Sequence, residues 1–326
     1  MKVCIVGAGA IGGILGARLA AAGRAEVSAL ARGATLSALR ESGWRVRQGD
    51  TTVQKAAIAS DDPRALGLQD LVFIAVKGPS LVAAAQSLQP LLGTHTVVVP
   101  AMNGVPWWFG FGQRTLGDAP LESVDPGGRI AAAIPREHVV GCVVHMSALT
   151  LAPGLVQHKM GQGLILGEPA GGTPSARVQR IGDLLAHAGF DVTLSSNIRY
   201  DVWYKLWGNM TMNPVSALTG ATADRVLDDA LVRTFCSAAM AEAAAIGARI
   251  GCAVTQTPAE RHAITRKLGA FKTSMLQDVE AGRPIELDGI VTAVHEIGLR
   301  VGVPTPNIDA LLGLTRLFGR VRGLYP

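Results

Sequence analysis

Apolar and polar residues alternate along the first part of the chain in short blocks. An apolar run at residues 2–6 is followed by a glycine-rich turn, an alanine- and leucine-rich stretch that stops at Gly23, and a second apolar run at residues 27–31. Runs of this length, separated by a helical stretch, predict a strand, a helix and a second strand of a parallel sheet.

The same pattern continues well beyond the first strands. Residues 44–54 alternate between apolar and polar around a Gly-Asp pair, which predicts a hairpin. Apolar runs at residues 70–77 and 96–99 predict buried strands, with a helix at residues 79–92 between them. Further elements are predicted as strands at residues 139–145, 154–159, 164–166 and 191–194 and as a helix at residues 177–188. Strands and helices in alternation indicate an α/β fold with a doubly wound sheet.

From about residue 197 the chain shows helical periodicity and no convincing strand. The predicted helices cover residues 201–213, 224–249, 257–281, 285–300 and 307–321. Pro214 is expected to end or kink the first of them, and Thr257 with Glu260 forms a capping box at the start of the third. We therefore predict an α/β domain at residues 1–196 and an all-helical domain at residues 197–326.

Three glycines in the first turn have the G-x-G-x-x-G spacing of a dinucleotide-binding motif, placed between a strand and a helix. In such a motif the first glycine permits the tight turn, the second lets the backbone approach a pyrophosphate, and the third lets the helix pack closely on the strand. The N–H groups at the start of the helix then face the phosphates. The N-terminal domain is thus predicted to be of the Rossmann type, with the cofactor bound by Gly7, Ala8, Gly9, Ala10, Ile11 and Gly12.

The end of the second strand indicates which dinucleotide is bound. NAD sites usually place an acid there to bind the ribose hydroxyls, whereas this chain has Ala31 and Arg32 and no acid before Glu41. Because a guanidinium binds a phosphate well, Arg32 favours NADP over NAD. A solvated arginine at the end of a strand would give the same sequence.

Composition and charge argue against several other classes. Apolar residues make up 48% of the 326 and charged residues 17%; the net charge is +5 and no basic stripe carries interleaved aromatics, so we predict no nucleic-acid partner. No uninterrupted apolar run reaches the roughly 18 residues of a membrane span, so we predict no membrane partner either. The seven histidines show no ligand spacing, which argues against a metal. The four cysteines lack paired spacing, which indicates buried thiols in a reducing, cytoplasmic setting.

One polar row interrupts the apolar background of the helical domain. Lys205, Asn209 and Asn213 are four residues apart, which places them along one side of a predicted helix. Trp203 and Trp207 then point elsewhere and are predicted to be core. An ammonium can stabilise negative charge on an oxygen, and amides can hold a carboxylate, although a solvated helix face would show the same pattern.

Further segments follow these in order along nearly the whole chain. They are Ile74-Ala-Val-Lys77, Met102-Asn-Gly104, Trp203-Tyr-Lys-Leu206 with Asn209 and Asn213-Pro214, Thr273-Ser-Met-Leu-Gln-Asp278, Gly282-Arg-Pro284 with Glu286, and Gly302-Val-Pro-Thr-Pro306. With the glycine motif, this set resembles the ketopantoate reductase (2-dehydropantoate 2-reductase) family, and it is far more specific than the glycine motif alone.

The resemblance implies reduction of the 2-keto group of ketopantoate to D-pantoate with NADPH, on the route to pantothenate and coenzyme A. It makes Lys205 the general acid. Its other implied site residues fall in two groups, with Asn209, Asn213 and Ser274 at the substrate and Lys77, Asn103 and Glu286 at the cofactor or the reacting centre. Glu286 is counted with Lys205 as catalytic.

Two positions depart from the family pattern. Family members carry an asparagine three residues before the serine and another ten residues beyond the second helical asparagine, where this chain has Phe271 and Ala223. These replacements, with the aromatic segment at residues 107–109, suit a more apolar 2-keto acid or related ketone as the alternative substrate. A protein that binds NADPH without turnover is a further hypothesis, and the alanine-rich helix fits either a homodimer face or core.

Overall fold

The computed structural model describes residues 1–117 and 119–326. The chain divides into two compact units, one made of residues 1–102 and 128–201 and the other of residues 103–127 and 202–326. This division differs from the predicted boundary at residues 196 and 197 mainly in segment 103–127, which groups with the helical residues. The predicted roles of the two domains stay predictions.

The first unit is built from short strands and helices. Its strands are β1 Lys2–Val6, β2 Glu26–Leu30, β3 Trp44–Gln48, β4 Thr51–Lys55, β5 Ile58–Ser60, β6 Gln69–Ile74, β7 Leu92–Pro100, β8 Gly141–Ala152, β9 Leu155–Gly167 and β10 Asp191–Leu194. Its helices are α1 Ala10–Ala22, α2 Gly33–Ser42, α3 Leu81–Ser87, α4 Arg129–Ala133 and α5 Ala176–His187.

Five parallel strands form the first sheet, in the order β5-β2-β1-β6-β7. The chain starts in the middle at β1, runs outward through β2 to β5, and returns to the other side for β6 and β7. This is the doubly wound arrangement that the sequence predicted. Val3 lies opposite Val27 of β2 and Leu71 of β6, and β1 is buried beyond its first residue. The carboxyl ends of all five strands therefore meet at one edge, where such folds bind their ligands.

A second sheet, which the sequence did not separate from the first, has the order β10-β9-β3-β4, with β8 also paired to β9. The hairpin predicted at residues 44–54 is confirmed as β3 and β4, but it belongs to this sheet. The three short strands predicted between residues 139 and 166 are two long antiparallel strands, β8 and β9. Trp44 and Val156 share a core cluster with Ile14 of α1, so this sheet packs on the first helix.

The second unit is almost entirely helical. Its helices are α6 Ile198–Thr219, whose first four residues group with the first unit, α7 Ala223–Asp228, α8 Ala230–Arg249, α9 Pro258–Arg266, α10 Ser274–Glu280, α11 Ala293–Arg300 and α12 Pro306–Val321, with a π-helical turn at Asp288–Thr292 before α11. As predicted, Trp203 and Trp207 of α6 are core residues, each only 1% exposed.

Local capping divides a helix that periodicity predicted as one. The predicted helix at residues 224–249 is interrupted at Asp229, whose extended backbone ends α7 and whose carboxylate caps the first N–H groups of α8. Pro214 does not end α6, because the helix continues to Thr219. The prediction followed the apolar period and passed over Asp229, although aspartate is a residue type that commonly caps helices.

The helix predicted at residues 257–281 is also wrong in extent. Its start is confirmed, because Thr257 and Glu260 form the capping box. The helix ends at Arg266, and α10 starts anew after Thr273, whose hydroxyl accepts a hydrogen bond from a backbone N–H of the new helix. Ser274 is therefore the first residue of a helix rather than a residue in the middle of one.

Segment 103–127 is fixed to the helical residues by α11. The carboxylate of Glu296 accepts hydrogen bonds from the backbone N–H of Glu122 at 2.9 Å and from the N–H and hydroxyl of Ser123 at 2.9 and 2.6 Å. Arg300 pairs with Glu296 at 2.6 Å and donates to the carbonyl of Ala119 at 2.8 Å. Burial opposes ionisation of Glu296, but the hydrogen bonds from Ser123 and Glu122 and the charge of Arg300 hold its pKa below the usual range.

The aromatic part of that segment is core. Trp107 is 2% exposed, and Trp108 and Phe109 are fully buried. The ring of Phe109 stacks on that of Trp203, with centroids 6.0 Å apart. These rings anchor the segment on α6, so they lend no support to the idea that they line a substrate pocket.

Among the described residues, α8 is the one helix long and apolar enough to cross a membrane. A single helix of this kind is weak evidence, because core helices of other proteins meet the same criteria. Its residues Cys236, Met240 and Ile246 are buried, whereas Leu231 is exposed. All four cysteines are free and buried, as predicted. The homodimer face suggested for this helix stays a prediction.

Candidate active site

The glycine motif forms the turn between β1 and α1. Gly7 has φ of +90°, a conformation that side chains rarely adopt, and a Cβ on Gly12 would lie 2.0 Å from the carbonyl oxygen of Gly7. A Cβ on Gly9 would meet nothing within 4 Å. Gly7 and Gly12 are thus required by the turn itself, whereas Gly9 opens onto free space. That combination fits a backbone cradle for a pyrophosphate.

Two basic residues stand at the same edge of the first sheet as the glycine turn. Arg32 lies two residues after β2, is exposed, and occupies the N-cap position of α2. Lys77 lies three residues after β6 and is half-buried. No side chain caps the start of α1 at Gly9, so its first N–H groups remain open to a ligand. The edge therefore combines helix N–H groups with positive charge, which suits the phosphates of a dinucleotide.

The polar row on α6 is arranged as the sequence predicted, and it meets the loop that follows β7. The ammonium of Lys205 donates a hydrogen bond to the side-chain carbonyl of Asn103, with Nζ and Oδ1 2.6 Å apart. Both residues are half-buried and belong to the second unit. Two residues that lie 102 positions apart in sequence are thus in direct contact. An amide oxygen aimed at an ammonium restricts where the proton-bearing nitrogen lies.

The other two members of the row become progressively more buried. Asn209 is half-buried, and Asn213 is 5% exposed. The amide nitrogen Nδ2 of Asn213 is buried without a hydrogen-bond partner among the described residues. An unsatisfied buried donor costs roughly 1–3 kcal/mol, so a ligand oxygen that accepted its hydrogen bond would be bound favourably.

The loop that carries Asn103 rests on the π-helical turn. The backbone N–H of Val105 donates to the carbonyl of Gly289 at 2.7 Å. Gly104 has φ of +84°, and a Cβ there would lie 2.5 Å from the carbonyl of Gly289. Only glycine allows this close approach, so the loop can sit against the turn without displacing Asn103. π-Helical turns are rare and occur frequently at functional sites.

The C-terminal residues brace the same turn. The phenol of Tyr325 donates to the carboxylate of Asp288 at 2.6 Å, and the carbonyl of Leu324 accepts from the N–H of Ile285 at 2.9 Å. Burial and the neighbouring Asp288 carboxylate raise the pKa of Tyr325 to about 12, so the phenol stays protonated and remains a donor. Sequence reasoning missed this brace, because no motif or period links residues 288 and 325.

The remaining predicted site residues lie on other elements of the second unit. Ser274 is exposed at the start of α10, and Glu286 is half-buried just before the π-helical turn. Glu286 is therefore two residues from Asp288, which Tyr325 holds. The glycine motif, Arg32 and Lys77 belong to the first unit.

The two positions that depart from the predicted family pattern are adjacent in the structure. The backbone N–H of Ala223 donates to the carbonyl of Phe271 at 2.9 Å. Both residues pack in an apolar cluster with Met212 and Val215. These two residues lie one position before and two positions after Asn213 in α6. The side chains at both positions are apolar, where the resemblance predicts asparagines.

Comparison with known proteins gives a consistent result along the whole chain. Residues 3–171 match the family model described as Ketopantoate reductase PanE/ApbA, and residues 197–318 match the model of its C-terminal part. The chain is 43% identical to a 2-dehydropantoate 2-reductase of Mesorhizobium japonicum over 326 residues, which is 100% of both chains.

Solved structures agree with these sequence matches. A crystal structure of a candidate ketopantoate reductase from Ralstonia solanacearum MolK2 shares 57% identity, covers 99% of each chain and has a TM-score of 0.95. The 2-dehydropantoate 2-reductase of Methylococcus capsulatus shares 27% identity over 99% of this chain and 98% of its own, with a TM-score of 0.83.

Proposed function

The chain belongs to the ketopantoate reductase family, and we propose that it reduces the 2-keto group of ketopantoate to give D-pantoate, for pantothenate and coenzyme A synthesis. The observation that carries the proposal is the hydrogen bond of 2.6 Å between Lys205 and Asn103. It presents an ammonium, fixed by an amide, on the helix that also carries Asn209 and Asn213.

Family membership implies a nicotinamide dinucleotide, and the residues present fit one. The turn at Gly7 and Gly12, the open face of Gly9 and the uncapped start of α1 would hold the pyrophosphate. Ala8, Ala10 and Ile11 complete the same turn. When bound, the reduced nicotinamide supplies a hydride to the keto carbon. We assign Lys77, Asn103 and Glu286 to contacts with the cofactor or the reacting centre.

The protein residues stabilise the negative charge that develops on the keto oxygen during reduction. The Lys205 ammonium stabilises that oxygen and delivers a proton to it, which makes Lys205 the general acid. Asn103 holds the ammonium in place. Asn209, Asn213 and Ser274 donate to the carboxylate and hydroxyl of the substrate, and the buried Nδ2 of Asn213 is a donor suited to this role.

We further propose that the dinucleotide is NADP, because Arg32 stands where an NAD site would carry an acid. Replacing it (Arg32→Asp) removes the partner of the 2′-phosphate and adds a negative charge. We expect the KM for NADPH to rise about 10- to 100-fold, because hydrogen bonds to charged groups contribute roughly 1.5–3 kcal/mol. The KM for NADH should stay within about twofold of its original value, since NADH lacks that phosphate.

Arg24→Asp is the matched control for this variant. Arg24 is also exposed and precedes β2 instead of following it. It changes the net charge by the same amount, so its KM for NADPH should be nearly unchanged. An equal loss of NADPH and NADH with Arg32→Asp would show that the phosphate is bound elsewhere.

The brace by Tyr325 predicts an effect on turnover without an effect on cofactor affinity. Tyr325→Phe removes the hydrogen bond to Asp288 and keeps the ring, so the turn that carries Gly289 should be less firmly held. We expect kcat to fall about 3- to 10-fold, which corresponds to the usual contribution of one hydrogen bond. The Kd of NADPH, measured by fluorescence, should not change, and Asp288→Ala, which removes the acceptor of the same hydrogen bond, should show the same pattern. An unchanged kcat in both variants would limit Tyr325 to a purely structural contact.

The experiment that tests the function is steady-state oxidation of NADPH, followed at 340 nm, with ketopantoate beside a panel of bulkier and more aromatic 2-keto acids. The proposal predicts that ketopantoate gives much the highest kcat/KM. Tight NADPH binding without turnover of any keto acid would instead indicate a protein that senses the cofactor.

A second candidate is reduction of a more apolar 2-keto acid or related ketone. The contact between Phe271 and Ala223 favours it, because the pair places apolar groups where family members carry amides. The buried rings at residues 107–109 give it no support. A higher kcat/KM for a bulkier member of the panel would establish this candidate and leave the assigned roles of the α6 residues intact.

A further inference from the structure

A basic groove lies between α8 and α9, and none of its residues has a role in the proposed reaction. It has a volume of about 340 Å³ and is lined by Arg233, Thr234 and Ser237 of α8 and by Ala259, His262, Ala263 and Arg266 of α9. The volume lies in the range of sites that bind small molecules. Sequence reasoning missed this groove, because its residues recur at helical spacing among alanines and match no motif.

The two arginines of the basic groove are fixed at its end nearest α7. The guanidinium of Arg233 donates to the carbonyl of Leu227, and that of Arg266 donates to the same oxygen at 2.6 Å. Arg266 also pairs with the carboxylate of Asp228 at 2.6 Å. Among the described residues no carboxylate lies within 4 Å of Arg233. One acid therefore faces two guanidinium groups, and the groove keeps a net positive charge.

The histidine of the basic groove lies in the field of the same positive charges. His262 is 5% exposed, and its Nε2 lies 3.0 Å from the hydroxyl oxygen of Ser237. Burial lowers the pKa of His262, and the positive charges of Arg233, Arg266 and Arg261 lower it further. The charges that oppose an imidazolium at this position would favour an anion there.

The shape of the basic groove selects among anions. Ala259 and Ala263 have small side chains, so a body larger than a bare ion can enter between the helices. Guanidinium groups present parallel donors that match the oxygens of a phosphate. The hydroxyls of Thr234 and Ser237 already donate to the backbone carbonyls of Ala230 and Arg233, each at 2.8 Å, so the arginines are the donors available to an anion. A phosphate monoester carries about −1.5 to −2 charges at neutral pH, more than a carboxylate.

We propose that the basic groove is a binding site for a small organic phosphate, separate from the site of reduction. Arg233 and Arg266 hold the phosphate, and His262 and Ser237 form the polar wall beside it. The alanines of α9 accommodate the organic part of the ligand. Because the groove shares α8 and α9 with the helical unit that carries Lys205, a bound phosphate would stabilise that unit.

The test uses the full-length protein saturated with NADPH, so that the glycine turn is already occupied. Isothermal titration with glycerol 3-phosphate at constant ionic strength should show a single site. The double variant Arg233→Gln/Arg266→Gln should weaken its Kd at least about tenfold, because it removes both charged donors to the phosphate. Arg316→Gln/Arg322→Gln removes the same number of charges from two exposed arginines in and directly after α12; it is the matched control and should bind as the unmodified protein does.

Two further probes separate the outcomes. Glycerol, which lacks the phosphate, should not bind, and inorganic phosphate should bind more weakly than glycerol 3-phosphate. The melting temperature of the double variant, measured without ligand, shows whether it is folded, and Arg233→Lys provides a milder second variant. No binding to the unmodified protein, or equal binding by the folded double variant, would overturn the proposal.

Discussion

Lys205→Ala is expected to lower kcat about 10²- to 10⁴-fold, the usual contribution of a positioned general acid. The variant removes the ammonium that Asn103 holds at 2.6 Å, so no proton is delivered to the keto oxygen as its charge develops. The Kd of NADPH should remain within about twofold, because the residues assigned to the pyrophosphate belong to the other unit. Both quantities are measured on the same preparation, by single-turnover kinetics and by fluorescence titration.

Lys267→Ala is the control for the loss of a lysine from the same unit. Lys267 is exposed at the C-terminal end of α9 and should be replaceable without loss of kcat. Small primary amines added to Lys205→Ala should restore part of the lost turnover, because they supply an acid without repairing the fold. A kcat close to that of the unmodified protein would remove Lys205 from the role of acid.

Gly12→Ala should lower the stability of the protein and Gly9→Ala its affinity for NADPH, although both place a methyl group in the same turn. The Cβ on Gly12 would lie 2.0 Å from the carbonyl oxygen of Gly7, so α1 must shift from β1. We expect a loss of about 3 kcal/mol or more of stability. In a unit of this size that lowers the melting temperature by about 6–12 °C.

Gly9→Ala should leave the melting temperature within about 1 °C of the original value, because its Cβ meets nothing within 4 Å and its φ of −76° suits alanine. The methyl group would instead occupy the space assigned to the pyrophosphate. We expect the Kd of NADPH to rise at least about tenfold, since the backbone can no longer approach the phosphates. Unchanged NADPH affinity in folded Gly9→Ala would place the dinucleotide away from this turn.

These two experiments separate the parts of the proposed function. The glycine variants report on the cofactor site of the first unit, whereas Lys205→Ala reports on chemistry carried by the second. If Lys205→Ala lowers kcat and keeps its NADPH affinity, the second unit carries the chemistry. If Gly9→Ala loses NADPH affinity and keeps its stability, the first unit binds the cofactor. The substrate panel then decides which keto acid the enzyme uses.

Local sequence determined the elements and one complete functional motif. The glycine turn could be read from the chain because its residues are contiguous, and steric demands at Gly7 and Gly12 restrict what can stand there. The row of Lys205, Asn209 and Asn213 could also be predicted from sequence, because a helix places residues four apart on one side. The capping box at Thr257 was found for the same reason.

Tertiary structure decided what those elements meet. Asn103 contacts Lys205 across 102 positions, and Tyr325 reaches Asp288 across 37. No period or spacing encodes such pairs, because they depend on how loops and helices pack together. The second sheet was missed for a related reason, whereas the breaks at residues 229 and 267–273 were not. The predicted helices ran through Asp229, Gly269 and Thr273, which are residue types that end or cap helices. The sequence therefore located the chemical groups, while the fold determined which of them touch.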